Sequence, residues 1–101
     1  MVRFLVLYDK PHDPEAFDRH YRDIHIPLAK KLPGLRRYTI SRNAAPVRGD
    51  GPYYLVAELD WDDMTALQQA FQSPEGRATA ADVPKFAGDG VHSMSFELED
   101  V

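Results

Sequence analysis

The chain is 101 residues long, with 44% hydrophobic and 28% charged residues, which are the proportions of one globular domain rather than a disordered segment. It contains no cysteine, which excludes disulfides, thiolate metal centres and cysteine nucleophiles. Its 16 acidic residues against 12 lysines and arginines leave a net charge of −4, without the positive surplus that a nucleic-acid surface needs, and no apolar run approaches the roughly 18 residues of a membrane span.

Residues 2–9 are rich in Val, Phe, Leu and Tyr and stop at Asp9-Lys10-Pro11, as a strand should. The apolar core of this run is too short for a secretory leader and lacks a small-residue cleavage site, so the cytoplasm is the expected compartment. Val2, Phe4, Val6 and Tyr8 occupy one side of the strand, Leu5 and Leu7 the other. A strand apolar on both faces needs cover on both. Helices can supply one cover, and a second sheet or another subunit the other.

Asp13 is placed to cap a helix, with Pro14 at its first position and Glu15 near the positive end of the dipole. Phe17, Tyr21, Ile24 and Leu28 recur at helical spacing and predict one inward stripe. Pro27 lacks a donor and clashes with the carbonyl four residues back, which predicts a kink or break near His25-Ile26. The helix should then resume through Lys31 and end at Pro33-Gly34. Residues 35–43 read as a second strand, 44–52 as a hairpin-type loop and 53–60 as the clearest strand, with Tyr53, Leu55, Ala57 and Leu59 on one face. Asp62 is expected to cap a helix carrying Met64, Leu67, Ala70 and Phe71. Ser73-Pro74-Glu75 should open a short Ala-rich helix that ends near Val83, before Pro84. In the last strand, residues 91–99, His92, Met94, Phe96 and Leu98 alternate with Ser93, Ser95 and Glu97. The order β-α-β-β-α-β predicts an α+β, ferredoxin-like fold, a four-stranded antiparallel sheet with helices on one face. The uncovered face predicts sheet-to-sheet pairing with a second copy.

Of the four histidines, His12 lies in a loop and His20 reads as a partly exposed helix residue. His25 is on the inward side, four residues after Tyr21 and two before Pro27. Two readings stand: the imidazole satisfies carbonyls freed by the proline, or it exchanges protons with a ligand. Metal binding has little support, because His20 and His25 are five apart rather than the three or four that put two ligands on one helix face. Tyr38, Tyr53, Tyr54, Trp61 and Phe96 offer aromatic lining, although core packing is the ordinary use of such residues. Arg36, Arg37 and Arg42 cluster near one strand, where salt bridges to the acids are the ordinary use. The glycine spacing supports no phosphate cradle.

The stretch Phe17-Asp18-Arg19-His20-Tyr21-Arg22-Asp23-Ile24-His25-Ile26-Pro27-Leu28, followed by Pro33-Gly34-Leu35-Arg36-Arg37-Tyr38, resembles the EthD family, named for ethyl tert-butyl ether degradation and part of the dimeric α+β-barrel superfamily. Ser73-Pro74-Glu75-Gly76 and Asp82-Val83-Pro84-Lys85-Phe86 look like the second signature of that family. The resemblance implies a homodimer whose two sheets face each other. It also implies a pocket in each subunit between sheet and helices, with no bound cofactor or metal. Relatives on this fold include cofactor-independent monooxygenases of polyketide anthrones, lactone isomerases, and proteins required for ether oxidation. In the lactone isomerases the counterparts of His25 and Tyr38 belong to the active site, so the resemblance makes these two the candidate catalytic residues. Tyr21, Pro27, His92 and Phe96 are the candidate substrate contacts. The chain departs from those isomerases in having no cysteine, which leaves a thiol-dependent mechanism without its group.

Three functions are consistent with this pattern. The first is a small cofactor-independent enzyme, monooxygenase-like or isomerase-like, acting on an apolar or aromatic small molecule. His25 would be its general base or acid, and Tyr38 would orient the substrate or stabilise an oxyanion. The second is a non-catalytic small-molecule-binding accessory protein of a catabolic or biosynthetic pathway. The third is a structural dimer whose pocket is filled by Tyr21, Tyr38 and Phe96. What separates them is whether His25 lines a cavity that a ligand can enter.

Overall fold

The computed structural model describes residues 1–49 and 53–101, so Asp50, Gly51 and Pro52 of the expected hairpin loop lie outside the described residues. In chain order the elements are β1 (Val2–Tyr8), α1 (Pro14–His20), a π-helical turn (Tyr21–His25), α2 (Ile26–Ala29), β2 (Arg37–Ile40), β3 (Leu55–Trp61), α3 (Met64–Gln72), α4 (Pro74–Ala87) and β4 (Val91–Glu97). The strands form one antiparallel sheet in the order β2-β3-β1-β4, and the helices pack on one face of it. This is the expected ferredoxin-like α+β arrangement.

Local chemistry accounts for most of the boundaries. Asp13 caps α1 by accepting from the Ala16 N–H at 3.1 Å, and Ser73 caps α4 by accepting from the Gly76 N–H at 3.0 Å. Helix α3 is capped by Asp63, one residue later than expected: its carboxylate accepts from the Ala66 N–H at 2.8 Å. Strand β2 is only four residues long, because turns close in on both sides, with Gly34 at φ 72° before it and Asn43 at φ 56° after it. Helix α4 does not stop at Val83; Pro84 lies inside it and the helix runs on to Ala87. The reason is geometric. Pro84 and Ala80, whose carbonyl loses its donor, are both exposed, so water can satisfy that carbonyl, and continuing the helix delivers Phe86 to an aromatic cluster.

The core lies between the sheet and the helices. Val6 and Tyr8 of β1 and Ala57, Leu59 and Trp61 of β3 face Phe17, Tyr21 and Ala29 of the first helical rod and Leu67 and Ala70 of α3. Trp61 is fully buried, and its indole N–H donates to the Pro33 carbonyl at 2.9 Å, which ties the end of the first rod to the sheet.

Candidate active site

The regular α-helix of the first rod is interrupted just before Pro27, at the expected His25-Ile26 position, by the π-helical turn. There the rod widens: the Ile26 N–H bonds to the Tyr21 carbonyl, five residues back, so the ladder has changed step before the proline arrives without a donor. An extra residue in that turn alters which side chains face inward. Phe17, Tyr21, His25 and Ala29 are buried at an even spacing of four, while Ile24, expected on the inner stripe, is 47% exposed. Pro27 itself faces solvent.

His25 is 5% exposed, and its Nδ1 lies 3.0 Å from Oδ2 of Asp82, a 3%-exposed carboxylate on α4. The other oxygen of Asp82, Oδ1, lies 2.9 Å from Nε2 of His20. Burial would raise the Asp82 carboxyl, but the hydrogen bonds from His20 and His25 outweigh it and hold the pKa below the ordinary 3.8. Burial also lowers the His25 pKa from 6.5, against the pull of Asp82, so the ring is neutral at pH 7. An ionised carboxylate only accepts, so Nδ1 of His25 carries the proton and Nε2 keeps its lone pair. Among the described residues Nε2 has no hydrogen-bond partner, and no polar side-chain atom is both fully buried and unpaired, so this nitrogen is open to solvent or ligand.

Beside His25 lies a cavity of about 250 Å³ between the sheet and the helices, predominantly apolar in its walls. Val6 of β1, Ala57 and Leu59 of β3 and Val83 of α4 contribute to its lining, and exposed Ser93 of β4 and Ala80 of α4 stand at its rim. Tyr21 and Tyr38 also line it, with their hydroxyls 2.6 Å apart. Burial raises both pKa values above the ordinary 10, so both keep their protons. Two hydroxyls bonded to each other use one proton between them. The other remains available to an oxygen placed in the cavity.

The chain matches the EthD domain over residues 9–90. The chain belongs to the EthD family. An uncharacterized 11.0 kDa protein from the thcB–thcC intergenic region of Rhodococcus erythropolis is 37% identical to it over 102 residues, which span 100% of this chain and 98% of that relative. A crystal structure of an EthD family protein from Bacillus halodurans superposes with a TM-score of 0.90 at 40% identity, covering 98% of this chain and 99% of that one. Two more distant structures share the fold. SnoaB, a cofactor-independent oxygenase from Streptomyces nogalater, has a TM-score of 0.66 at 19% identity over 99% and 94% of the two chains. A dimeric ferredoxin-like protein of unknown function from Thermobifida fusca has a TM-score of 0.68 at 17% identity over 96% and 90%.

In this EthD-family protein the structure brings His25, Tyr38 and Tyr21 together on one cavity and leaves three other candidates away from it. Pro27 is on the solvent side of the rod. His92 and Phe96 pair in register with Leu7 and Arg3 on the outer face of the sheet, opposite the helices, and His92 lies 3.2 Å from the exposed Asp9 carboxylate. Their strand alternates, so Val91, Ser93, Ser95 and Glu97 are on the helix side, and Val91 and Ser93 line the cavity. Arg36 makes an exposed ion pair with Asp62 at 3.4 Å. Among the described residues no group of three His, Asp or Glu side chains is arranged to hold a metal. Asp82 is the residue of this candidate site that the sequence reading misses. The signal was available: Gly76, Thr79, Asp82 and Phe86 recur at three- and four-residue steps, so a carboxylate sits on the buried stripe of α4. No helix among the described residues is long and apolar enough to cross a membrane.

Proposed function

We propose that this EthD-family protein is a small cofactor-independent enzyme in which Nε2 of His25 takes a proton from an activated C–H of an apolar or aromatic substrate. The observation that carries this reading is a histidine whose Nδ1 is held by a buried carboxylate and whose ring lines a ligand-sized cavity, an arrangement that favours a neutral ring with a bare Nε2. Negative charge released from the C–H bond would move to a neighbouring carbonyl oxygen, where the spare proton of the Tyr21–Tyr38 pair can meet it. Return of the proton at another position is isomerase-like chemistry. Reaction of the carbanion with O2, turning a CH2 into a carbonyl with loss of water, is monooxygenase-like. We further infer that two copies pair through the outer sheet face, where Met94 is 50% exposed beside Leu5, Leu7 and Phe96.

The experiment separates proton abstraction from whatever follows it. Aromatic ketones with acidic C–H bonds, anthrone among them, are incubated in D2O and hydrogen exchange is followed by NMR. The wild type is expected to accelerate exchange for a bound compound, and His25→Ala to lose about 10²–10⁴-fold, the usual share of a general base. Compounds that bind to the wild type yet exchange no faster than in buffer would leave the accessory-binding role in its place.

A further inference from the structure

We propose that His20 is a positioning residue for this site: through Asp82, it determines which nitrogen of His25 carries the proton. The proposal rests on the reading of His25 Nε2 as the reactive atom, but its test does not use activity. On a regular α-helix, residues five apart point about 140° away from each other. The π-helical turn closes its bonds five residues back, and that change of step lets His20 and His25 converge on a single carboxylate.

Each oxygen of Asp82 is taken by one imidazole, Oδ1 by His20 and Oδ2 by His25, and it has no other hydrogen-bond donor among the described residues. A carboxylate this buried needs both partners to stay ionised. His20 is well placed to be the second one. Its ring stacks on Phe86 with centroids 5.2 Å apart and planes at 28°, and its side chain is 23% exposed. Without a donor on Oδ1, two changes become available. The undivided charge of Asp82 can hold His25 as an imidazolium, or Asp82 can protonate and donate to Nδ1, which flips the neutral ring. Both put a proton on Nε2 and remove the base. The remaining titratable groups lining the cavity are Tyr8 from β1, Tyr21 from the same rod and Tyr38 from β2. All three keep their protons at pH 7, because burial raises their pKa values.

The test is NMR of 15N-labelled histidine rings at pH 7, with amide spectra to check the fold. In the wild type, Nε2 of His25 should be bare and Nε2 of His20 protonated. His20→Gln keeps an N–H donor near the position of Nε2 and should leave His25 unchanged. His20→Phe keeps the ring and its stacking but has no donor, and the bare-nitrogen signal of His25 should be lost. A purely structural role predicts the reverse ranking, with Phe tolerated and Gln disruptive. A bare His25 Nε2 in a folded His20→Phe variant overturns the proposal, as does a wild-type His20 whose Nε2 carries no proton. The expected NMR pattern without any exchange activity would sink the catalytic reading alone.

Discussion

At the scale of single residues, burial of the Asp82–His25 pair ties the site to stability. The His25 pKa is below 6.5 in the fold, so the unfolded chain binds a proton first as the pH drops. Its contribution is therefore complete above pH 6.5 and erodes as the pH falls from there towards the lower folded value. The Asp82 pKa is below 3.8, so its contribution is present above that pH and is lost as the pH falls through its folded value. Both act in the same direction. Urea unfolding at one protein concentration should show stability level above about pH 7 and declining below pH 6.5. In His25→Gln, which can still donate to Asp82, the decline just below pH 6.5 should be shallower, and the steeper acid loss should remain. Superimposable profiles for the two proteins would mean that His25 is not held neutral by the fold. His25 was legible as a candidate because its spacing from Phe17 and Tyr21 put it inside. The periodicity of α4 places Asp82 on a buried stripe, but its pairing with His25 and His20 is not legible, because a carboxylate 57 residues away from His25 meets it only through tertiary packing.

At the scale of elements, both prolines that looked like helix stops are accommodated, by different means. Before Pro27 the ladder changes step, and at Pro84 the orphaned carbonyl faces water. Local propensity sets a cost of about 3 kcal/mol for an interior proline, and what outweighs it lies elsewhere in the fold. Phe86, two residues beyond Pro84, packs against Tyr8, Phe17, Tyr21 and both site histidines at centroid distances of 4.8–5.7 Å. Caps, strands and loops were readable because they depend on neighbours in sequence; these continuations depend on that cluster. The junction of α3 and α4 gives a test with a reversed sign. Gly→Ala inside a helix ordinarily stabilises by about 0.8–1.0 kcal/mol. At Gly76 a Cβ would collide with the Ala70 carbonyl oxygen and come within 2.6 Å of the Phe71 Cα, both backbone atoms that cannot step aside cheaply. Gly76→Ala should therefore destabilise by about 1–3 kcal/mol, as an overpacked site does, and lower the thermal midpoint. A raised midpoint would mean that the two helices do not meet this closely.

At the scale of the whole molecule, sequence alternation separated the two faces of each strand but could not say which of them the helices cover. For this reason His92 and Phe96 are candidate substrate contacts by sequence, although they belong to the other side. The same face carries Arg3 and Asp60, joined by two hydrogen bonds of 2.8 and 3.1 Å, with Asp60 4% exposed. A charge pair that satisfies itself can enter an interface with little further desolvation, whereas a lone carboxylate cannot. Met94→Glu exploits that difference. Met94 is half exposed in the single chain, so the change should move subunit stability by no more than about 0.5 kcal/mol. In a sheet-to-sheet dimer it would bury an unpaired charge and weaken association by at least about 100-fold, roughly 2.8 kcal/mol. Sedimentation equilibrium should give twice the chain mass for the wild type and one chain mass for the variant. A monomeric wild type, or a variant that still dimerises with full affinity, would remove the sheet face as the interface. The cavity around His25 lies on the helix side of the sheet, opposite the proposed interface, so the monomeric variant should retain the hydrogen exchange proposed for the wild type. Loss of exchange on dissociation, with the fold intact, would mean instead that the partner holds the sheet in its working shape.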